Sequence, residues 1–413
     1  MLIASITKGG HMQLTHMLTE EQKMLQETLR KFVDKEIMPI REELENDYSL
    51  VESVFQKLVD MGIQKGGYPP DCGGTGPFPP TTRAVIQTEL ARGDGGIAMV
   101  TGMNAGEFLM PALLAGNKTV VEKFAPPFCG DKLNYGCLAM TDSAAGADSE
   151  NPVLQGRGIS TRAKLDGDEW VINGSKSWPS NAGLASLYLT ICTTDPDLGD
   201  DGIAMIYVPG DAEGLSFGKP EEKMGYRTNV NASIYFDNVR VPKEYRLAGP
   251  GQDAMFYYGG LMGIAQWSSA CMSLGIGQAA FDIALEYTKE RKSGGKPVRE
   301  WSLAAGMIAD MAIRQEMLRG GIFNFGAMLE DHDTYGPPFS KTMISRGSLL
   351  RVFASESCVF IVNQALQLLG SNGLSPEYHL EKYFRDAHVT QLYLGGLQIT
   401  RYRVVRGYYD YVV

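Results

Sequence analysis

Apolar residues recur at helical spacing along the first third of the chain, and this pattern begins at Thr19. Thr19 and Gln22 have the spacing of a capping box, in which two polar side chains satisfy free N–H groups at the start of a helix. The apolar stripe that follows ends at Pro39. The same spacing predicts further helices near 50–61, 81–92 and 97–116, with a Pro- and Gly-rich loop at 68–80.

From about residue 134 the pattern changes to short runs rich in β-branched and aromatic residues, such as "EWVINGSKSW" and "LYLTICTT", separated by Gly, Asp and Pro. These runs predict an antiparallel sheet or barrel. Helical spacing returns over 251–291, 299–330, 338–370 and 378–406. We therefore expect an α+β protein with an N-terminal helical domain (17–133), a middle antiparallel β domain (134–244) and a C-terminal four-helix bundle domain (245–413). Residues 1–16 read as a flexible leader without the apolar core of a signal peptide.

Composition narrows the class of protein. The 413 residues carry 38 Lys and Arg against 48 Asp and Glu, a net charge of −10, which argues against nucleic acid as a partner. The chain is 44% hydrophobic and 21% charged, as in globular proteins, and no unbroken apolar run approaches the length of a membrane span. Its six cysteines form no CxxC pair, so we expect neither a disulfide framework nor a metal site. A cytoplasmic protein is the prediction.

Three polar, Gly-bearing segments could contact a cofactor. They are "TDSAAGAD" (141–148), "WPSN" (178–181) and "LLGSNGLSPEY" (368–378). Small residues let a ligand approach backbone N–H groups, but each segment alone is better explained as a turn.

Taken in order, these segments resemble the acyl-CoA dehydrogenase family over residues 17–410. The resemblance rests on "LAMTDSAAGAD", "WVINGSKSWPSNAG", "KMGYRTNVNASIYFDNVRVP", "LEYTKERKSGGK" and the segment that ends in "TQLYLGG". It implies an FAD enzyme that acts on acyl-CoA thioesters, forms a homotetramer with FAD bound between subunits, and passes electrons to an electron-transfer flavoprotein. The positions that would contact FAD, partly from a neighbouring subunit, are Met140, Thr141, Gly146, Trp178, Ser180, Arg291, Gln367, Gly370 and Gln398. Residues 149–160 look longer than the family pattern.

The resemblance fails at the catalytic base. The family removes an α-proton with a Glu in a Y-E-G-T motif, and here Leu394 stands at that position. A minority of the family carry the Glu on an earlier helix, where this chain has Ala265. Because a positioned base contributes about 10²–10⁴-fold, ordinary 1,2-dehydrogenation of a saturated acyl-CoA is disfavoured.

Glu107 is the candidate replacement. The helix predicted at 97–116 corresponds to the wall of the family's acyl pocket, and Glu107 shares its apolar face with Met103, while Met99 and Leu394 complete the predicted pocket. The alternative is that Glu107 points outward into solvent, as most Glu residues do. Asp94 and Asp386 are common at their positions in the family, and we expect structural roles for both.

A base on this wall suits a 1,4-elimination, in which a cyclic enoyl thioester loses a γ-proton and a more distant hydride. The chain resembles a family branch of this kind, the cyclohex-1-ene-1-carboxyl-CoA dehydrogenases, although the acid there is Asp. Two alternatives stay open. One is an enzyme that needs no base, such as a 3-sulfinoacyl-CoA desulfinase, although the pocket-wall helix offers no Arg to hold a sulfinate. The other is a catalytically silent FAD-binding subunit. Leu394 does not support a monooxygenase or nitroalkane oxidase.

Overall fold

The computed structural model describes residues 17–409, so the predicted leader lies outside the described residues. The N-terminal helices are α1 (Glu20–Phe32), α2 (Tyr48–Asp60), α3 (Pro80–Gly93), α4 (Gly95–Gly102), α5 (Met110–Ala115), α6 (Lys118–Phe124) and α7 (Pro126–Cys129). The predicted capping box is present at the start of α1. The Thr19 backbone N–H donates to the Gln22 side chain at 3.0 Å, and the Gln22 N–H donates to the Thr19 hydroxyl at 3.2 Å.

The middle domain is a seven-stranded sheet. Its strands are β1 (Gly136–Ala139), β2 (Arg162–Asp166), β3 (Glu169–Lys176), β4 (Leu187–Thr193), β5 (Ile203–Pro209), β6 (Leu215–Phe217) and β7 (Ile234–Pro242). The order is β1-β4-β2-β3-β7-β6, and β5 also pairs with β4. Most pairings are antiparallel as predicted, but β4 runs parallel to β1 and, at one residue pair, to β2.

The C-terminal domain is built from long helices. They are α8 (Gln252–Met255), α9 (Met262–Glu290), α10 (Ser302–Glu330), α11 (His332–Tyr335), α12 (Lys341–Leu369), α13 (Leu380–Val389) and α14 (Gly396–Val405), and β8 (Lys292–Ser293) and β9 (Lys296–Pro297) form a small hairpin. The helix predicted over 378–406 is broken between α13 and α14. There Leu394, Gly395 and Gly396 all have positive φ, a conformation that no helix continues through.

Helix α3 packs directly on α9 and joins the N-terminal domain to the C-terminal bundle. The approach is so close that a Cβ added at Gly275 would lie 2.3 Å from the Thr88 carbonyl oxygen. Because α3 and α9 are both held rigidly by this packing, side chains that reach past their edges keep fixed positions relative to one another.

Two helical stretches are long and apolar enough to cross a membrane by length and composition alone, a test that buried core helices also pass. They are 95–115 and 341–374, and 72% and 44% of their most apolar windows are buried inside the fold. Neither stretch is an unbroken apolar run, since both mix apolar residues with Gly, Ala, Ser and Thr. In this fold both are packed helical segments of their domains.

Candidate active site

A cavity of about 610 Å³ lies where the three domains meet. The N-terminal domain contributes α4, α5 and the segment between them. The middle domain contributes the end of β1 and the loop Trp178–Ser180, and the C-terminal domain contributes α9 and the segment Tyr393–Gly395. A cleft of this size between domains is a usual place for a cofactor and a substrate.

Most of the site residues expected from the sequence lie on this one cavity. Its lining includes Met99, Met103, Glu107, Met140, Thr141, Trp178, Ser180 and Leu394. Gly146 is not part of the lining, but the adjacent Ala147 is. The structure does not bring the remaining expected FAD contacts to the cavity. These are exposed positions on the C-terminal domain, namely Arg291, Gln367, Gly370 and Gln398.

The middle-domain wall presents an indole ring. Trp178 is 51% exposed and has a φ of 57°, which is unusual for a bulky residue and requires support from its surroundings. The Asn231 amide donates to the Trp178 carbonyl at 2.6 Å, and the Asn229 amide donates to the Ser180 hydroxyl oxygen at 2.8 Å. Lys223 donates to the carbonyl of Asn229 and to the side chain of Asn231, and burial lowers the pKa of Lys223 to about 8. This network holds the indole and the hydroxyl in place.

A buried ion cluster supports the adjacent wall at Tyr226. Lys382 lies 2.8 Å from Asp94 and 2.7 Å from Asp386, and Asp386 also accepts the Tyr226 backbone N–H at 2.7 Å. Tyr226 has a φ of 51°, so this hydrogen bond stabilises a strained residue that lines the cavity. Asp94 also accepts the Ile97 N–H at 2.8 Å and so caps α4. In this cluster both aspartates support the fold, as the sequence predicted.

The chain leaves helical geometry between α4 and α5, where the sequence predicted one helix over 97–116. A π turn spans Met103–Glu107, and Gly106 has a φ of 97°. The Tyr68 hydroxyl donates to the Asn104 carbonyl at 2.8 Å and so satisfies backbone that the helix would have paired. The prediction of a continuous helix is therefore wrong, and the side-chain direction of Glu107 is set by this turn.

The Glu107 carboxyl group nevertheless lies on the cavity, and its side chain is only 11% exposed. Its Oε1 accepts hydrogen bonds from the Gln87 amide at 2.9 Å and the Ser268 hydroxyl at 3.1 Å, and Arg83 Nη2 lies 3.5 Å away. Within residues 17–409 no hydrogen bond reaches Oε2, and this atom is not fully buried. The outward, solvated alternative for Glu107 is therefore excluded.

The donors to Glu107 were not among the expected site residues. Arg83 and Gln87 stand four residues apart on α3 and so share a helical face, while Ser268 comes from α9. The (i, i+4) spacing of the first two was the available signal. The expectation that the acyl pocket lacks an arginine holds for its own wall helix, but α3 brings Arg83 beside Glu107.

The two positions where the family carries its base both face the same cavity with aliphatic side chains, Leu394 and Ala265. Leu394 has a φ of 54°, and its carbonyl accepts hydrogen bonds from Arg351 and Arg403, each at 3.2 Å. Ala265 precedes Ser268 by one helical turn on α9. The hydroxyl that holds Glu107 therefore projects from the same face of α9 as the alternative base position.

A second carboxyl group, which sequence reasoning missed, lies on the middle-domain part of the lining. Glu150 is 2% exposed, and its Oε1 accepts a hydrogen bond from the Thr141 hydroxyl at 2.7 Å. Burial raises the pKa of Glu150 above its ordinary value. In the sequence the segment 149–160 differs from the family pattern by its length, and no local motif marks Glu150.

Family comparisons agree with this architecture domain by domain. The N-terminal, middle and C-terminal domains of acyl-CoA dehydrogenase match residues 19–132, 137–239 and 260–409. The chain belongs to the acyl-CoA dehydrogenase family. This membership establishes an oxidoreductase that acts on acyl-CoA thioesters, with FAD as its cofactor.

Individual members of the acyl-CoA dehydrogenase family align over nearly the whole chain. The bovine mitochondrial short-chain specific acyl-CoA dehydrogenase is 32% identical, over 93% of this chain and 89% of the relative. The cyclohex-1-ene-1-carbonyl-CoA dehydrogenase of Syntrophus aciditrophicus is 31% identical over the same shares. A chain of the structure reported for the electron transferring flavoprotein of Acidaminococcus fermentans has a TM-score of 0.84 and 27% identity, covering 95% of this chain and 98% of that one.

The cavity fits the flavin of an acyl-CoA dehydrogenase. A half-exposed indole in a supported, strained conformation offers a planar apolar surface for a ring system, and Ser180 and Thr141 place hydroxyl groups beside it. When bound there, FAD would accept two electrons as a hydride from the substrate.

Proposed function

We propose that this acyl-CoA dehydrogenase oxidises a cyclic enoyl-CoA thioester, such as cyclohex-1-ene-1-carboxyl-CoA, by 1,4-elimination to a cyclic dienoyl-CoA, with Glu107 as the base. The observation that carries the proposal is the position of Glu107. Its carboxyl group lines the cavity together with Leu394 and Ala265, the two positions where a base is expected, and neither of those has an ionisable side chain.

The two carboxyl oxygens of Glu107 have different surroundings, and one of them is available to take a proton. The Gln87 and Ser268 donors fix Oε1, which leaves Oε2 available to the cavity. In the proposed step the γ-carbon of the enoyl thioester would lose its proton to Oε2, and the C–H electron pair would form a double bond between the β- and γ-carbons. The electron pair of the existing α,β double bond would then move to the bond between the α-carbon and the ring carbon on its other side. That ring carbon, which lies across the ring from the γ-carbon, would release the hydride that bound FAD would accept, so atoms and electrons balance. A base must first lie within reach of the proton that it removes, and the Glu107 carboxyl group lies on the cavity that would hold the substrate.

A base on this wall favours the vinylogous proton over the α-proton. The α-proton lies closest to the thioester, where the family's own base at the Leu394 position would reach it. Glu107 projects from the N-terminal domain and contacts Ser268 of α9. Ser268 follows Ala265 by one helical turn on that helix. A compact ring presents its γ-carbon away from the thioester, so its acidic proton can face this wall. The 31% identity to a cyclohex-1-ene-1-carbonyl-CoA dehydrogenase supports a substrate of this class.

Arg83 bears on the desulfinase alternative. A desulfinase needs a cation that is free to bind the sulfinate group. Arg83 is a cation beside the Glu107 carboxyl group, and its Nη2 is 3.5 Å from Glu107 Oε1. A sulfinate placed there would face the Glu107 carboxylate at close range, which costs free energy. The structure therefore favours proton abstraction over sulfinate binding.

The assembly and the electron acceptor belong to the same proposal. We propose a cytoplasmic homotetramer in which Arg291, Gln367 and Gly370 contact the FAD of a neighbouring subunit and Gln398 is a further FAD contact. Their exposure on the C-terminal domain, away from the chain's own cavity, supports this arrangement. An electron-transfer flavoprotein is the proposed acceptor, in keeping with the similarity to a chain from such a protein's structure.

Anaerobic mixing of the FAD enzyme with a panel of thioesters tests the proposed function. A cyclohexenyl thioester should bleach the oxidised flavin band, and the saturated cyclohexane and butyryl thioesters should bleach it far more slowly. Faster bleaching by a saturated thioester would overturn the proposal. Release of sulfite from a 3-sulfinoacyl thioester without bleaching would identify a desulfinase, and the absence of any reaction would indicate a silent subunit.

A further inference from the structure

Three hydrogen bonds to the C-terminal domain hold the segment that carries Glu150. The Tyr257 hydroxyl donates to the Ser149 carbonyl at 3.0 Å, and the Gly156 N–H donates to the Tyr258 hydroxyl at 3.1 Å. Arg403 Nη2 donates to the Glu150 carbonyl at 2.8 Å. These bonds come from the C-terminal domain, so the position of the Glu150 side chain is fixed relative to the cavity.

The Glu150 carboxyl group is buried without a charged partner in contact. Within residues 17–409 its Oε2 has no hydrogen-bond partner, and no salt bridge reaches either oxygen. The ionisable groups that face it are Arg403 on α14, Arg351 on α12, Lys176 on β3 and Tyr257 before α9.

Each of these cations is already bonded to another acceptor. Arg403 and Arg351 donate to the Leu394 carbonyl, and Lys176 forms a buried salt bridge with Asp142 at 2.9 Å. Because burial disfavours the charged form, and these cations only partly offset that cost, the pKa of Glu150 is raised.

We propose that Glu150 is a positioning residue whose protonation decides which way the Thr141 hydroxyl donates its hydrogen bond. The proposal rests on the proposed function, in which FAD lies along Thr141. The contact between Thr141 Oγ1 and Glu150 Oε1 is 2.7 Å, short enough for a hydrogen bond in either direction.

The hydrogen bond between Glu150 and Thr141 has two states, one for each protonation state of Glu150. In the neutral state the Glu150 O–H donates to Thr141 Oγ1, so the Thr141 hydrogen is free to donate to a flavin acceptor in the cavity. When Glu150 loses its proton to solvent, the carboxylate can only accept. Thr141 then donates to Glu150, and the flavin loses a donor and gains a negative neighbour. Because a hydride brings negative charge to the flavin, the neutral state favours flavin reduction.

The reduction equilibrium of the flavin tests this inference without any acyl-CoA. The holoenzyme and its Glu150→Gln variant are reduced against a reference dye over the full pH range in which both remain folded. In the wild-type protein the equilibrium constant for flavin reduction should fall by about fivefold or more beyond the ordinary pH dependence as Glu150 ionises. Glu150→Gln should lack this additional fall, because its amide donates to Thr141 at every pH. Identical pH dependence in the two proteins would overturn the proposal.

Substitutions at Thr141 separate this effect from a general disturbance. Thr141→Ser keeps the hydroxyl and should retain the additional fall, whereas Thr141→Val should lose it. If Glu150→Gln fails to bind FAD, this pair still decides the question, since equal behaviour of the two variants would contradict the proposal. Glu107→Gln is the matched control, a glutamate of the same cavity without contact to Thr141, and it should retain the additional fall. A failed thioester reaction with this redox response intact would count against the proposed function alone.

Discussion

The N-terminal and middle-domain walls of the cavity hold a glutamate in opposite ways. Glu107 has donors on one oxygen and leaves the other accessible, while Glu150 has one hydroxyl contact and a second oxygen sealed inside the protein. A proton acceptor must reach the proton that it removes, so of these two glutamates Glu107 has the accessible oxygen that the proposed base requires. The comparison teaches that two buried glutamates of one cavity can differ in the access of a carboxyl oxygen, and the two proposed roles rest on that difference.

The largest expected effect comes from returning a carboxyl group to the family's own position. Leu394→Glu should gain oxidation of saturated acyl-CoA thioesters, by about 10²-fold or more in the bleaching rate, because a positioned base is worth that much. Arg351 and Arg403 hold the carbonyl of residue 394, so the new side chain should start from the same backbone position. Leu394→Gln has the same shape without a base and should gain nothing. If the Glu variant binds FAD and remains inactive on saturated thioesters, the missing base does not explain the substrate preference.

A second variant displaces the Glu107 carboxyl group without changing it. A Cβ at Gly102 would lie 2.8 Å from Glu107 Oε1 and 2.9 Å from the Gln87 amide nitrogen, both too close. Gly102→Ala should therefore lower the bleaching rate by about 10²-fold, as expected for a misplaced catalytic group. Gly306→Ala on α10 is the matched control, since nothing lies within 4 Å of its added Cβ. Equal rates for the two alanine variants would show that the placement of Glu107 is irrelevant.

Removing one donor should have a smaller effect. Gln87→Leu and Ser268→Ala each delete a hydrogen bond to the Glu107 carboxylate, and each should slow bleaching at saturating substrate by about tenfold. Thioester affinity, measured with a non-reacting analogue, should be nearly unchanged. A loss confined to affinity would mean that these side chains hold substrate and do not orient the base.

The smallest effect is one of stability and concerns Glu150. Its folded pKa is raised, so the folded protein binds the proton more tightly than the unfolded chain, and the stabilising contribution of that proton falls as pH rises above the ordinary value of 4.5. Each pH unit by which the folded pKa exceeds the unfolded pKa corresponds to about 1.4 kcal/mol in the free energy of unfolding. Thermal unfolding should show Glu150→Gln gaining on the wild-type protein as pH increases from that value until the folded pKa is passed. If the stability of Glu150→Gln relative to the wild-type protein fell as pH increased, the fold would favour the charged carboxylate, and the prediction would be contradicted.

Local signals in the sequence predicted much of the fold. Thr19 and Gln22 marked the start of α1, and the short β-branched runs marked the sheet. The break at Met103–Glu107 was missed because it depends on long-range packing. A side chain at Gly67 would lie 1.6 Å from the Ala105 carbonyl oxygen, so the turn requires a glycine that lies in a distant loop.

The site was predictable only in part for the same reason. Glu107 could be singled out because the usual base positions held Leu394 and Ala265. Its partners Gln87 and Ser268 come from helices more than 150 residues apart in sequence, and the packing of α3 on α9 brings them together. No local sequence pattern predicts that Gln87 and Ser268 both contact Glu107.

Single-turnover bleaching by cyclohex-1-ene-1-carboxyl-CoA in the Glu107→Gln variant tests the central claim most directly. Glutamine keeps the shape of the side chain and removes its ability to accept a proton, so the rate should fall by about 10²–10⁴-fold with FAD still bound. Glu52→Gln, at an exposed position on α2, should react like the wild-type protein. A wild-type rate in Glu107→Gln, or an equal loss in Glu150→Gln, would contradict the assignment of Glu107 as the base.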